Sequence, residues 1–358
     1  MANTLPTGSK IGILGGGQLG RMLSVAASRL GFVTYVYDPD PNAPAAHVAA
    51  VHVCAGYDDL DALSDFADAV DVVTYEFENI PTAALDRLDA LVAVHPGRRA
   101  LAVSQDRLIE KTFIQSLGLR VARFADVSSP TDFATAQSLL DHGAILKTRR
   151  LGYDGKGQSG VNTQEELESA WRSLGEMPCI LEERIPFSCE ISVIGARDTE
   201  GQIICFDPGE NEHKYGILHK TTVPTSLPLQ LRSDAVLATG SILRALDYIG
   251  VIGVEFFVTE GALCINEFAP RVHNSGHWTQ DGCVVDQFEQ HIRAVTGLPL
   301  NDARRVQNVT MVNLIGSDVD KLEDYYRDPR SAIHLYGKSE IRDGRKMGHV
   351  NTIMSETS

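Results

Sequence analysis

Residues 253–268 have the sequence Gly253-Val-Glu-Phe-Phe-Val-Thr-Glu-Gly-Ala-Leu-Cys-Ile-Asn-Glu-Phe268. β-Branched and aromatic residues favour strands, and a glycine between two apolar segments is typical of a hairpin turn. A three-residue turn centred on Gly261 would place Glu255 directly opposite Glu267. Like charges that face each other across strands are unfavourable, and the apolar neighbours increase that cost. The hairpin therefore predicts two carboxylates held together against their repulsion.

A divalent cation between Glu255 and Glu267 would remove this repulsion. Mg²⁺ typically binds one or two carboxylates and completes its coordination shell with nucleotide phosphates. We therefore predict that the two glutamates are ligands of Mg²⁺, with Mn²⁺ as an alternative ion. In a different strand register the two side chains would point apart, and the metal site would be absent.

The segment after the hairpin is dense in polar and cationic residues, Asn266-Glu-Phe-Ala-Pro-Arg-Val-His-Asn-Ser-Gly-His-Trp278. Arg271, His273 and Asn274 could hold an anion beside the predicted metal. A single histidine is usually structural, but this combination indicates a site.

A glycine-rich basic loop occupies residues 147–158, Lys147-Thr-Arg-Arg-Leu-Gly-Tyr-Asp-Gly-Lys-Gly-Gln158. Glycines let backbone amides approach an anion closely, and the cations add attraction. The loop is not a Walker motif, because the G-x-x-x-x-G-K-[ST] pattern is absent. We predict a lid over polyphosphate; a solvated basic hairpin is the alternative.

A second glycine motif, Gly15-x-Gly17-x-x-Gly20, follows an apolar strand and opens a helix. With Asp38 at the end of the next strand, it satisfies the dinucleotide fingerprint. Its physical content is less specific, since amides at a helix N-terminus can face any anion. A ribose phosphate, NAD and a turn without a ligand are all compatible with it.

Strands and helices alternate in the first hundred residues, which is typical of a parallel sheet covered by helices. We predict strands at 10–14, 33–37 and 71–75, and helices at 19–30, 59–70 and 82–91.

From Ser104 the pattern changes to several strands in succession, which indicates an α+β domain with an antiparallel sheet. Ser104 is expected to cap a helix that Gly118 ends. Further strands are predicted at 144–147, 179–183, 190–196, 202–207 and 309–315, and helices at 163–174 and 233–246.

Composition restricts the class of protein. The chain has 358 residues and a formal net charge of −15, so it is a poor candidate for binding nucleic acid through phosphates. No apolar segment approaches the length of a membrane span, and residues 1–10 lack the apolar core of a signal peptide. The six cysteines form no C-x-x-C pair and read as small apolar residues of a reducing compartment. A cytoplasmic protein without membrane or nucleic-acid partners is expected.

Taken together, these segments resemble the ATP-grasp superfamily and, within it, the family of N5-carboxyaminoimidazole ribonucleotide synthases. The resemblance covers nearly the whole chain. It rests on Gly16-Gly-Gln-Leu-Gly-Arg-Met22, Tyr75-Glu-Phe-Glu-Asn79, Gln105-Asp-Arg-Leu108, Gly152-Tyr-Asp-Gly-Lys-Gly-Gln158, residues 266–279 and Asn313-Leu-Ile-Gly-Ser-Asp318. It implies a Rossmann-like domain over 1–108, an ATP-grasp domain over 109–298 and a small C-terminal domain over 299–358.

The resemblance also implies ligand contacts. The implied ATP-binding residues are Arg107, Lys147, Gly152, Tyr153, Asp154, Gly155, Lys156, Gly157, Gln158, Glu182, Glu183, Arg184, Ile185, Glu190, His213, Asn266 and Glu267. The aminoimidazole ribonucleotide is expected to contact Gln18, Leu19, Glu76, Tyr153 and Asp154, with Lys338, Arg345 and Lys346 on its 5′-phosphate.

The implied reaction belongs to purine synthesis and begins with transfer of the γ-phosphoryl group of ATP to bicarbonate. The resulting carboxyphosphate carboxylates the amine of the ribonucleotide. Arg271, His273 and Asn274 would face the bicarbonate-derived group, and Asp154 and the leaving phosphate are candidates for the base. A homodimer is expected from the family. Three rival hypotheses are a NAD-dependent dehydrogenase, an ATP-grasp enzyme that uses formate or another acceptor, and a non-catalytic binding protein.

Overall fold

The N-terminal part of the chain is a parallel sheet with helices on both faces. A computed structural model describes residues 4–152 and 157–354. The elements of this part are β1 (Lys10–Leu14), α1 (Gln18–Arg29), β2 (Val33–Tyr37), β3 (Val51–Val53), α2 (Leu60–Asp68), β4 (Val72–Tyr75), α3 (Thr82–Asp89) and α4 (Arg98–Ser104). The strands lie in the order β3-β2-β1-β4, and all are parallel. The predicted alternation of strands and helices is confirmed.

The next part is a four-stranded antiparallel sheet in the order β5-β8-β6-β7. Its elements are α5 (Arg107–Ser116), β5 (Phe124–Val127), α6 (Phe133–Ala136), β6 (Ala144–Thr148), β7 (Gln158–Val161), α7 (Gln164–Ser173) and β8 (Cys179–Glu183). Trp171 of α7 packs edge-on against Phe133 of α6, so the helices cover one face of this small sheet.

The largest sheet has nine strands and continues into the C-terminal part. Its strands are β9 (Cys189–Arg197), β10 (Ile203–Cys205), β11 (Gly209–Lys214), β12 (Ile217–Val223), β13 (Gly250–Thr259), β14 (Ala262–Ala269), β15 (Val309–Ile315), β16 (Ser331–Leu335) and β17 (Lys346–Ile353). The associated helices are α8 (Leu229–Ala245), α9 (Thr279–Gly282), α10 (Gln287–Thr296) and α11 (Leu322–Arg327). The main order is β14-β13-β9-β11-β12-β15-β17-β16, with β10 paired to β9. Because β15 pairs with β12, the C-terminal strands extend the central sheet instead of forming a separate one.

A shared apolar core fixes the parallel sheet against the large sheet. Leu23 and Ala26 of α1 belong to the same buried cluster as Phe288 and Ile292 of α10. At the edge of this contact, Arg29 pairs with Asp286 and Glu289 at 3.3 and 3.2 Å. The space between the sheets therefore has defined walls.

One predicted helix start is wrong. Ser104 ends α4, and its hydroxyl donates to the carbonyl oxygen of Leu101. The cap of α5 is Asp106, whose carboxylate accepts from the backbone N–H groups of Leu108 and Ile109 at 3.1 and 3.4 Å. An ionised carboxylate interacts more favourably than a hydroxyl with the positive end of a helix, so Asp106 is the better cap.

The described helices include none that is both long enough and apolar enough to cross a membrane. All six cysteines are unpaired thiols; Cys179, Cys264 and Cys283 are buried, whereas Cys54 is exposed. The expectation of small buried residues is confirmed for these three and is wrong for Cys54.

Gly20 of α1 has no room for a side chain. A Cβ atom there would lie 2.5 Å from the carbonyl oxygen of Gly15, which is backbone and cannot rotate away. Gly20→Ala should therefore destabilise the protein by about 1–3 kcal/mol, seen as a lower melting temperature. Gly240→Ala in α8 is the matched control, because its nearest neighbour would lie at 4.0 Å and alanine favours helices. Equal melting temperatures for the two variants would contradict this packing.

Candidate active site

A cavity of about 650 Å³ lies where the three sheets meet. Sixteen of the residues proposed from the sequence line it, which places side chains from distant parts of the chain in one site. They are Gln18, Leu19, Glu76, Arg107, Lys147, Gly152, Gln158, Glu190, His213, Glu255, Asn266, Glu267, Arg271, His273, Asn274 and Lys346.

A second cavity, of about 390 Å³, adjoins the first. The glycine turn after β1 forms one wall, and Lys338 and Arg345 from the C-terminal part form another. Gln18, Glu76 and Phe77 line both cavities, so the two share a wall. Lys338 and Arg345 thus lie together, whereas the third predicted cation of the group, Lys346, faces the larger cavity.

Other predicted residues lie elsewhere. Tyr153, Asp154, Gly155 and Lys156 fall outside the described residues. Gly157 and residues 182–185 are described but do not line either cavity. Glu182 is buried behind the wall, and Glu183 pairs with Arg123 at 2.9 Å near the surface.

The hairpin β13–β14 reaches the predicted arrangement by a different route. Its turn has two residues, Glu260 and Gly261, with φ of 43° and 81°, values typical of a type I′ turn. That shorter turn would shift the register by one residue. Beyond the pair Phe256–Ile265, however, β14 contains a bulge, and Val254 pairs with Phe268. The predicted turn is wrong, but the bulge restores the offset and leaves Glu255 opposite residues 266–267.

The two glutamates have opposite electrostatic environments. Burial and the nearby charge of Glu267 raise the pKa of Glu255. Burial acts in the same direction on Glu267, but Arg107, whose Nη1 lies 2.6 Å from Oε2, outweighs it and lowers the pKa of Glu267. An acidic pair on a cavity wall suits Mg²⁺. No group of three or more His, Cys, Asp or Glu side chains within the described residues could hold a metal, so nucleotide phosphates would have to complete its shell.

Helix α5 holds the strand that carries Glu267. β14 is the edge strand of the large sheet, and its outer side meets the segment before β5 in an isolated bridge between Ile265 and Val121 but pairs with no described strand. Glu110 accepts a hydrogen bond from the N–H of Phe268 at 2.7 Å, and Lys111 donates to the carbonyl oxygen of Asn266 at 2.5 Å. Both side chains are at most 2% exposed. Side chains of one helix therefore replace the missing strand on both sides of Glu267.

Lys111 also belongs to a buried ion cluster behind the cavity. Glu182 Oε2 lies 3.4 Å from the ammonium group of Lys111 and 2.9 Å from that of Lys147. Burial alone would raise the pKa of Glu182, but the two lysines and Arg107 lower it to about 2. Burial also lowers the pKa of Lys147, which its contact with Glu182 partly offsets. Sequence reasoning missed Glu110 and Lys111, because charged residues on a helix usually face solvent.

The basic loop is less positive than the sequence suggested. Arg149 donates to both carboxylate oxygens of Asp106, and Arg150 lies 3.3 Å from the same group. Lys147 is neutralised by Glu182. Of the four cations expected to surround the loop, the three described ones are paired with carboxylates.

Arg271 and His273 follow β14 and line the larger cavity beside the acidic hairpin. Arg271 is held by a bidentate pair with Glu78, a residue that sequence reasoning missed although it lies in the quoted segment 75–79. The guanidinium group keeps the pKa of Glu78 low in spite of burial. Burial and the charge of Arg271 lower the pKa of His273 to about 3, so its ring is neutral near pH 7.

Asn274 lies beside His273 and has an unusual environment. Both polar atoms of its side-chain amide are buried and have no hydrogen-bond partner among the described residues. Buried polar groups normally have partners, so this amide is suited to a ligand that enters the cavity.

The glycine turn binds carboxylates of the protein itself. Glu76 accepts from the N–H groups of Gly17 and Gly20 at 2.5 and 2.6 Å, and Asp38 accepts from that of Gly16 at 2.6 Å. A Cβ atom at Gly17 would lie 2.4 Å from Glu76. The glycines are therefore needed to admit Glu76. The expectation of amides free for an anion is wrong for Gly16, Gly17 and Gly20, and a dinucleotide pyrophosphate would meet two carboxylates there.

Comparison with protein families agrees with this architecture. Residues 112–288 match the ATP-grasp domain, residues 8–105 the ribonucleotide synthetase preATP-grasp domain, and residues 309–358 the phosphoribosylaminoimidazole carboxylase C-terminal domain. The fold and its cavity thus define an ATP-grasp protein.

Relatives narrow the class. N5-carboxyaminoimidazole ribonucleotide synthase of Brucella melitensis is 48% identical over 99% of both chains, and that of Pseudomonas aeruginosa is 42% identical over 95% of this chain and 93% of the relative. A solved ADP complex of purK, an N5-carboxyaminoimidazole ribonucleotide synthetase, is 40% identical, with a TM-score of 0.95 over 99% of this chain and 94% of that one. The chain belongs to the N5-carboxyaminoimidazole ribonucleotide synthase family.

A solved structure of lower sequence identity contains both ADP and 5-aminoimidazole ribonucleotide. It is the N5-carboxyaminoimidazole synthase of Aspergillus clavatus. It is 30% identical, with a TM-score of 0.90 over 97% of this chain and 94% of that one.

Lys111→Met tests the buried cluster. The variant leaves the carbonyl oxygen of Asn266 without a donor and Glu182 with one cation fewer. Breaking a buried ion pair from one side costs about 3–5 kcal/mol, so we expect a clearly lower melting temperature. ATP turnover should fall at least about ten-fold, because Glu267 loses its support. The control is Lys321→Met, which removes an exposed pair with Asp318 and should change neither quantity. Wild-type behaviour of Lys111→Met would contradict the role of the cluster.

Proposed function

We propose that the protein carboxylates 5-aminoimidazole ribonucleotide with bicarbonate and ATP, giving N5-carboxyaminoimidazole ribonucleotide, ADP and phosphate in purine synthesis. The observation that carries this proposal is the pair of adjoining cavities. One has an acidic pair suited to a nucleotide-bound metal, and the other has two cations suited to a ribose phosphate. Family membership supports the same reaction, since the relatives are named for it.

ATP would occupy the larger cavity. Lys147 and Arg107 would contact its phosphates, Glu190 and His213 its sugar side, and Glu255 and Glu267 the accompanying Mg²⁺. Glu190 pairs with His213, and this contact outweighs burial and raises the pKa of the imidazole. When bound, Mg²⁺ would neutralise charge on the transferred phosphoryl group. The loop 152–158 and Asn266 complete this assignment. Residues 182–185 do not line the cavity, and their contact with ATP stays a prediction from the family resemblance.

The first chemical step forms carboxyphosphate. A bicarbonate oxygen attacks the γ-phosphorus of ATP, the bond to the β-phosphate oxygen breaks, and ADP leaves. Arg271 is fixed by Glu78 and would hold the negative charge of the bicarbonate, with His273 and Asn274 as further donors. Carboxyphosphate is unstable in water, so the cavity must exclude solvent while it exists.

The second step forms the N–C bond. The amine nitrogen of the ribonucleotide attacks the carboxyl carbon of carboxyphosphate. The C–O bond to phosphate breaks, and the amine loses a proton. The departing phosphate can accept that proton. Asp154, the other candidate named from the sequence, lies outside the described residues. Gln18, Leu19 and Glu76 would orient the base of the ribonucleotide, with Tyr153 from the loop.

The remaining assignments are part of the same proposal. Lys338 and Arg345 would bind the 5′-phosphate, with Lys346 toward the reacting carboxyl group. Domain boundaries after residues 108 and 298, a cytoplasmic location and a homodimer stay predictions from sequence and family.

Glu255→Gln and Glu267→Gln test the ATP site. Each substitution keeps the shape of the side chain but removes a charge that the metal requires. ADP release in the presence of bicarbonate and ribonucleotide should fall at least about 100-fold. Glu260→Gln in the turn of the same hairpin is the control, because its side chain is exposed and it should retain full activity. Near-normal activity of Glu255→Gln would show that the metal assignment is wrong.

Lys338 generates a prediction about pH. Burial and the nearby Arg345 lower the pKa of Lys338 to about 8. Its charge is present below that pH and lost above it, so affinity for a phosphate should fall as pH rises. We expect KM for the ribonucleotide to increase above about pH 8, while KM for ATP stays constant. In Lys338→Met, KM should be high at every pH. A flat profile for the wild type would contradict the assignment of Lys338 to the phosphate.

A further inference from the structure

A chain of buried polar side chains leads from the interior of the large sheet to His273. Thr221, Asn211, Ser192 and Ser275 are each at most 7% exposed. The chain is built from hydrogen bonds of 2.8 Å between Thr221 and Asn211, 3.0 Å between Asn211 and Ser192, and 2.7 Å between Ser192 and Ser275. The last hydroxyl of this chain, that of Ser275, lies 2.8 Å from Nδ1 of the His273 ring.

The direction of these hydrogen bonds follows from the amide of Asn211. The hydroxyl of Thr221 donates to Oδ1, which can only accept, and Nδ2 donates to Ser192. Ser192 therefore uses its single proton toward Ser275, and Ser275 uses its proton toward Nδ1 of His273. Nδ1 is then the acceptor, so the ring proton lies on Nε2.

The opposite orientation of Asn211 is less favourable. Rotating the amide by 180° would direct its NH₂ group at Thr221 and reverse every bond up to His273. The hydroxyl proton of Thr221 would then have no acceptor, since Asn211 is its one partner among the described residues. Leaving a buried donor unsatisfied costs about 1–3 kcal/mol.

The surroundings of Nε2 agree with a proton on that atom. Nε2 lies 3.6 Å from Oε1 of Glu255, too far for a hydrogen bond but close enough for attraction between N–H and a carboxylate. The side chain of His273 packs against the backbone of Gly253, where an added Cβ would lie only 2.6 Å from the Cβ of His273. Gln287 holds the backbone of residue 273 with two hydrogen bonds.

We infer that Thr221, Asn211, Ser192 and Ser275 are positioning residues that fix His273 as the Nε2–H tautomer. His273 thereby presents a hydrogen-bond donor to the cavity and is not the base that removes the amine proton. The tautomer follows from the hydrogen bonds alone, whereas its use toward the bicarbonate-derived group rests on the proposed function.

The test is nitrogen NMR of the full chain labelled with ¹⁵N-histidine. Two-bond ¹H–¹⁵N correlations distinguish a protonated from an unprotonated ring nitrogen, and His273→Gln identifies the resonances by their loss. In the wild type we expect a protonated Nε2 and an unprotonated Nδ1. The reverse pattern would overturn the inference.

Asn211→Asp should reverse the chain. An ionised aspartate can only accept, so Ser192 would donate to it, Ser275 to Ser192, and Nδ1–H of His273 to Ser275. We expect the Nδ1–H tautomer and at least a ten-fold fall in kcat, with KM for ATP nearly unchanged. An Nε2–H signal with full activity in this variant would refute the positioning role.

Thr221→Val keeps the test informative if the aspartate variant fails to fold. It removes the preference of Asn211 for one orientation, so a mixture of tautomers is expected. Thr239→Val is the matched control, since Thr239 is equally buried but its hydroxyl donates to a helix carbonyl. This variant should keep the tautomer pattern of the wild type.

The tautomer inference and the proposed function can fail separately. An Nε2–H pattern with no ribonucleotide-dependent ATP turnover in the wild type would reject the proposed function and leave the tautomer assignment intact.

Discussion

The bulge in β14 is the constraint on which the active site depends. It shifts the strand by one residue after the short turn and so keeps Glu267 on the cavity beside Glu255. An irregular edge strand would be soft by itself, because one row of its backbone groups has no neighbouring strand. Helix α5 removes that weakness, since Glu110 and Lys111 bond the backbone on either side of Glu267 and Arg107 pairs with its carboxylate. The acidic pair is thus positioned by a helix that is separate from the hairpin.

Side chains elsewhere in the site are likewise held in place by neighbouring groups. Glu76 closes the glycine turn by accepting from two of its amides and also lines both cavities. A side chain that is so constrained can orient a ligand at little entropic cost. Arg271 is held by Glu78 and His273 by Gln287 and Ser275. Glu76, Arg271 and His273 thus each have a partner behind them, which is the preorganisation that phosphoryl and carboxyl transfer require.

Sequence patterns predicted what depends on local physics. Hydrophobic periodicity located the parallel strands and their helices, and the spacing of Glu255 and Glu267 indicated an acidic pair. Two predictions about the hairpin failed: its turn has two residues instead of three, and the bulge in β14 was not predicted because bulges leave no clear local signal. The two errors cancelled, so Glu255 and Glu267 still lie together. Ser104 was chosen over Asp106 because several residues near a helix start can cap it. The occupation of the glycine turn by Glu76 could not be predicted, since it depends on a contact across 59 positions of the chain. Lys111 and Asn211 were missed for the same reason: their roles depend on tertiary burial.

The central claim is that phosphoryl transfer to bicarbonate and carboxyl transfer to the amine occur in one site, formed by the two adjoining cavities. The most direct measurement is isotope transfer from ¹⁸O-labelled bicarbonate to the phosphate released during turnover with ATP and 5-aminoimidazole ribonucleotide. Mass spectrometry should find one labelled oxygen per phosphate at early times, because a bicarbonate oxygen attacks the γ-phosphorus and leaves with it. Unlabelled phosphate, formed while the ribonucleotide is carboxylated, would contradict this account.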